Sequence, residues 1–278
     1  MRVLDTYFDL ISLLDIMNGD FNIALWEVYA SGISKNLPDK LKEDIREYNF
    51  DTQILPVILQ TINNRGALEE LHNAFIVATA NINDRCRQIF QLDLNVYIIL
   101  YLGLCNGAGW ATTLDDKKVV LLGVEKIIEL NWHDEKSING LICHEIGHIL
   151  HDVKRGGSLK LLNQRDKSIW QLWREGIAMY CEQLLNGDFS HYHQNRGDWL
   201  EWCVSNHHDI LYEYKRRLYS EESTQDFFGD WTQWQGRSDL GYFLGCEFVK
   251  SLAQRYKLNE LLSMGISEIK KEFDRYAI

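Results

Sequence analysis

The chain has 278 residues, 46% of them hydrophobic and 25% charged, and a formal net charge of −11. This is the composition of an ordinary globular protein long enough to bury a sizeable core. The acidic surplus argues against nucleic acid or an anionic membrane surface as a partner, because both demand a basic footprint, and no run reaches the roughly 18 apolar residues of a membrane span.

Residues 1 to about 92 read as helices. Tyr7, Leu10, Leu13, Leu14 and Met17 keep helical spacing, and a longer pattern runs from Gly66 to about Gln91. Asp5 and Asp9 interrupt any apolar stretch at the start, so no secretory signal is expected. From Val96 to Leu102 the chain is rich in β-branched and aromatic residues and predicts a strand. Asn106-Gly107-Ala108-Gly109 predicts a turn or bulge. Trp110 to Thr113 and Val119 to Val124 predict two further strands, with Asp115-Asp116 as the turn between them. These segments are expected to form a small antiparallel sheet.

Helical spacing resumes at Asp134, with Asp134 or Ser137 as cap and an apolar face from Ile138, Leu141, Ile142, Ile149 and Leu150. Gly156-Gly157 ends this segment. Further helices are expected over about 166–185, 198–219, 239–256 and 266–276. Low-complexity segments, internal repeats and a Pro/Gly-rich linker are absent; only Pro38 and Pro56 occur. The fold class expected is α+β, predominantly helical, with a helical N-terminal region (1–92) followed by a region (93–278) that packs with it as one unit. Six cysteines stand singly, without a CxxC pair, which predicts reduced, mostly buried thiols in a cytoplasmic protein.

Inside the helical pattern lies His144-Glu145-Ile146-Gly147-His148, an HExxH motif. Two histidines four residues apart share one helix face, so both imidazoles can reach a single Zn²⁺. Glu145 can then act as general base toward water, the arrangement by which zinc peptidases cleave amides. Catalytic zinc normally takes a third protein ligand. His151 is ill placed, because seven residues from His144 mean about 10 Å of helix rise. Glu175 suits better. It lies 27 residues after His148 on the next predicted helix, between Leu172 and Met179 on one face, where a carboxylate pointing inward needs a cation. Gly176 beside it predicts that another helix or a ligand passes closely.

The motif followed by Trp173-Arg174-Glu175-Gly176-Ile177-Ala178 resembles the gluzincins, zinc metallopeptidases whose third ligand is a Glu on a following helix. Together with Gly241-Tyr242-Phe243-Leu244-Gly245, it is similar to the YjaZ-like predicted zinc-dependent proteases. The resemblance spans roughly residues 94 to 255. It implies a zincin-like core with an edge strand above the zinc, a motif helix and a crossing Glu helix. It also implies His144, His148 and Glu175 as zinc ligands and Glu145 as base. A Tyr or His from a later helix would steady the oxyanion, with Tyr242 chosen over His191 and His193. Asn106-Gly107 and Trp110 are placed at the edge strand that would receive an extended peptide. One departure is plain: thermolysin-like enzymes carry an Asp four residues after the ligand Glu to orient a zinc-bound His, and Met179 stands there.

These residues predict a cytoplasmic single-zinc peptidase, a hydrolase acting on a peptide or protein substrate. His-Glu-Ile-Gly-His-Ile-Leu-His is also similar to the motif helix of IrrE/ImmA-type regulatory peptidases, which ranks lower because no helix-turn-helix segment is present. The alternative of another class is a non-catalytic scaffold, such as a binding or toxin–antitoxin component. An intact Glu145 argues against it. His133, His207 and His208 have no partner at metal spacing, and Asp230-Trp231-Thr232-Gln233-Trp234 would wall a cleft or pack.

Overall fold

A computed structural model describes every residue except Ser158, Asp230, Trp231 and Ile278. By its internal contacts the chain divides into two units, Met1–Glu145 and Ile146–Ile278.

The first unit contains β1 (Arg2–Asp5), α1 (Tyr7–Met17), α2 (Ile23–Ile33), α3 (Leu37–Asp44), α4 (Leu55–Ile62), α5 (Arg65–Ala80), α6 (Ile82–Phe90), β2 (Val96–Tyr101), β3 (Gly109–Leu114), β4 (Lys117–Gly123) and α7 (Val124–Glu129). The helices start and stop as their local chemistry dictates. The Asn22 side chain accepts from the N–H groups of Ala24 and Leu25, and Asn64 from that of Ala67, which satisfies donors at the first turns of α2 and α5. Helix α1 buries Leu10, Leu13, Leu14 and Met17, the stripe expected from their spacing.

The sheet differs from the antiparallel one expected. Its order is β1-β2-β4-β3; β1 and β4 run parallel to β2, and only β3 pairs antiparallel, with β4. The physical reason lies in the loop after β2. Glu125, fully buried on α7, accepts from the backbone N–H groups of Gly103 (2.8 Å) and Cys105 (2.9 Å). The chain is thus carried outward, and β4 returns to lie between β2 and β3. Asp115 and Asp116 close the β3–β4 hairpin with φ of 49° and 58°, the left-handed pair of a two-residue turn. The N-terminal region is likewise not all helical. Strand β1 has only four residues, all exposed, and owes its existence to β2, more than 90 residues away. Strand β3 is left at the sheet edge.

Helix α8 (Glu135–Arg155) begins where Asp134 accepts from the N–H (3.0 Å) and hydroxyl (2.7 Å) of Ser137, and the chain leaves it at Gly156 with φ +61°. The division between the units falls within this continuous helix, between Glu145 and Ile146.

The second unit continues with α9 (Gln164–Asn186), α10 (Trp199–Ser205), α11 (His207–Tyr219), α12 (Leu240–Ala253), α13 (Leu258–Ser263) and α14 (Ile266–Tyr276). Helix α9 is capped by Asn163, which accepts from the Asp166 N–H, and ends at left-handed Gly187. Its central face packs on α12. A Cβ on Gly176 would fall on the Gly245 carbonyl, and one on Gly245 would lie 2.5 Å from the Leu172 carbonyl oxygen. The pair lets two backbones touch, so the close passage expected at Gly176 is met by α12. The segment expected as one helix over 198–219 is broken at Asn206 into α10 and α11. Five of the six cysteines are buried, Cys105 is half-buried, and all are free thiols. No described helix is long and apolar enough to cross a membrane.

Candidate metal centre

His144, Glu145 and His148 are all buried, and ligand atoms of the three lie within 4.8 Å of one another. Helical geometry puts His144 and His148 on one face, since residues i and i+4 stack. Gly147 in the same turn keeps α8 close to α9: a Cβ there would lie 2.9 Å from both the Ala178 Cα and the Cys181 Cβ.

Glu145 is held from the edge strand. Its Oε2 accepts from the Ala111 backbone N–H at 2.7 Å. Gly109, two residues earlier on β3, makes room for it, because a Cβ at that position would lie 2.7 Å from Oε1 and 2.8 Å from Cγ. The carboxylate is therefore oriented through one oxygen by a backbone donor.

In the second unit, His148 Nε2 and Glu175 Oε2 are 3.1 Å apart. Zinc–ligand bonds of 2.0–2.2 Å in tetrahedral geometry put neighbouring ligand atoms about 3.4 Å apart, so this pair is spaced as two ligands of one ion would be. The Glu175 side chain is 15% exposed, on a helix whose other face is locked to α12. The donor set, imidazole nitrogen with carboxylate oxygen, is one that zinc accepts.

A further cluster was missed by the sequence reading. Glu182, one α9 stripe position beyond Met179, is fully buried. Its Oε2 lies 2.7 Å from His193 Nδ1, its Oε1 accepts from the His193 backbone N–H at 3.0 Å, and His191 Nε2 is 3.2 Å from the same Oε1. The clue in the chain was the continuation of the stripe Leu172, Glu175, Met179 to a second carboxylate at Glu182. Met179 itself is buried, with the Gln194 amide against its sulfur at 3.6 Å.

The surroundings of the other candidates are as follows. Tyr242 lies in the first turn of α12, half-buried, its ring 5.7 Å from that of Phe228 in an edge contact. Gly241 serves that same Phe228, whose ring a Cβ would strike, whereas Gly245 serves α9. His151 is buried against Trp170, and burial, helped by the neighbouring charge of His148, pulls its pKa down to about 3. His133 lies 3.6 Å from Glu70, His207 meets the Tyr276 hydroxyl at 2.8 Å, and His208 is exposed. Of the Trp-rich segment, Asp230 and Trp231 lie outside the described residues, and Trp234 stacks on Phe227. Strand β3 carries Trp110, over whose ring Lys40 sits at 4.5 Å. Comparison with family models, curated proteins and solved structures finds no match for this chain.

Proposed function

We propose that the chain is a zinc-dependent peptidase of gluzincin type, with His144, His148 and Glu175 as metal ligands and Glu145 as general base. The observation that carries this is the 3.1 Å approach of Glu175 to His148, two residues on different helices brought to ligand spacing. Zinc at such a site supplies Lewis acidity, polarising a carbonyl and acidifying water. Glu145, aimed by Ala111, takes the proton of the attacking water and later passes it to the leaving amine. Strand β3, at the sheet edge beside that base, suits an extended peptide that adds as a further strand, its main-chain groups pairing with those of β3. Tyr242 is the choice for oxyanion stabilisation in this reading. Six free cysteines fit a reducing compartment such as the cytoplasm.

The test is zinc content and peptide-library hydrolysis for the wild type and Glu145→Gln. Expected are one tightly held zinc ion in both proteins and turnover in the wild type alone, with at least a 100-fold loss in the variant, since general-base catalysis contributes about 10²- to 10⁴-fold. Full zinc binding without turnover of any peptide would remove the enzyme and leave a scaffold role. Absence of bound zinc would likewise remove the enzyme.

A further inference from the structure

Helix α12 turns Phe243, Glu247 and Lys250 to one side, since positions i, i+4 and i+7 share a helix face. Leu200 and Val204 stand one turn apart on α10, and His207 begins α11. The chain after α9 brings Phe189 and Tyr192 against them. These side chains enclose a cavity of about 250 Å³ within the second unit. That is below the roughly 300–1,000 Å³ of sites for drug-sized molecules, and suits a ligand about the size of one amino acid. None of its lining residues is a candidate for the metal centre.

The cavity is apolar except at one end. Buried Tyr192 and Phe243 form its floor, with the His207 ring 5.5 Å from that of Phe243 in an edge contact. Burial lowers the His207 pKa from its ordinary value, which leaves that ring uncharged at neutral pH. Phe189 and Val204, 50% and 61% exposed, stand in solvent at the mouth. The wall is pinned before anything binds: the Phe189 carbonyl accepts from Lys250 Nζ at 3.2 Å, and the His191 carbonyl from the Gln183 amide at 3.0 Å.

Glu247 and Lys250 form the charged end, 2.7 Å apart. Glu247 Oε1 takes that hydrogen bond and another from the Tyr192 hydroxyl at 3.0 Å, while no described residue donates to Oε2. Lys250 spends two of its three N–H groups, on Oε1 and on the Phe189 carbonyl. An acceptor and a donor of opposite charge thus remain side by side, next to an apolar hollow. A simple amine would leave the Lys250 donor unanswered, and a simple acid would leave Oε2 so. A molecule with ammonium and carboxylate on one carbon answers both. We propose that this cavity binds a free apolar α-amino acid, its ammonium on Glu247 Oε2, its carboxylate on Lys250 and its side chain over Phe243. The site stands whether or not the metal centre is that of a peptidase.

The test is isothermal titration calorimetry of the full chain, with and without added Zn²⁺, using L-phenylalanine and its single-charge analogues phenylpropionate and phenethylamine. Expected are saturable binding of one L-phenylalanine per chain, the same with and without Zn²⁺, and binding of either analogue weaker by about tenfold or more. Glu247→Gln should weaken L-phenylalanine about 10- to 100-fold, the worth of a hydrogen bond to a charged group. Val204→Trp, at an exposed position, should block the mouth with a similar loss. Absence of saturable L-phenylalanine binding in the wild type, or equal binding of the three compounds, would overturn the proposal. An affinity unchanged in both variants, or present only with Zn²⁺, would overturn it by placing the amino acid elsewhere. If Glu247→Gln does not fold, Val204→Trp decides the location: a loss supports the proposal and an unchanged affinity overturns it.

Discussion

The Ala111 backbone N–H donates to Oε2 of Glu145 at 2.7 Å, tying the edge strand β3 to the acidic residue of the HExxH helix. Backbone has no rotamer to change, so this donor fixes the carboxylate more firmly than a side chain would. The arrangement depends on Gly109, the only residue type whose lack of a Cβ leaves room for Glu145 there.

Gly109→Ala should therefore disturb catalysis more than folding. The atoms it would strike, in Glu145 and Leu141, belong to side chains that can move, so the stability cost is expected near 1 kcal/mol, the low end for overpacking. Turnover should fall at least tenfold as the base is displaced, with zinc content unchanged. Urea denaturation and a peptidase assay measure the two; equal activity in both proteins would show that the β3 contact does not position the base.

Gly176→Ala should do the reverse. Its Cβ meets the backbone of Gly245 on α12, which cannot yield without separating two packed helices. A loss of about 3 kcal/mol is expected, the upper end of the overpacking range. Chemical denaturation checks it, and a loss under 0.5 kcal/mol would mean that α9 and α12 do not touch at these glycines.

Removing metal should lower stability. A ligand present at 100 to 1,000 times its dissociation constant stabilises the folded chain by about 3–4 kcal/mol, so a strong chelator should depress Tm by several degrees and added Zn²⁺ should restore it. His148→Ala should lack this response. An unchanged Tm with chelator in the wild type would count against any bound ion.

The metal-free chain should lose stability on mild acidification through His151. Its folded pKa, near 3, lies below the ordinary value of 6.5, so the folded state stays neutral while the unfolded chain takes up a proton. The stability it contributes is complete above pH 6.5 and is lost as pH falls toward 3, at about 1.4 kcal/mol per pH unit. Between pH 6.5 and 5, above most carboxylate titration, the loss should approach 2 kcal/mol. His151→Leu should flatten that slope; an identical slope in wild type and variant would show that His151 is protonated in the folded chain.

Much of the centre is legible in the chain because it is local. His144 and His148 share a face through the helical repeat, and Asp134, Asn163 and Gly187 punctuate α8 and α9 through their own side-chain and backbone chemistry. Glu175 could be singled out by its apolar stripe, and Gly176 by the cost of a helical glycine, which α12 explains. Glu182 lay on the same stripe, yet its fully buried carboxylate gains meaning only when the loop folds back to give it His193.

Helix periodicity, caps and the four-residue spacing of the motif are properties of neighbouring residues, and the order of amino acids is enough to establish them. Strand order is not such a property: β1 exists because β2 offers it hydrogen bonds, and β3 reaches the edge because buried Glu125 shapes the loop before it. The aim of Glu145 likewise awaits Ala111, 34 residues away, and the tautomer of His193 awaits Glu182. Such pairings depend on which surfaces meet in space, and spacing along the chain carries no record of that.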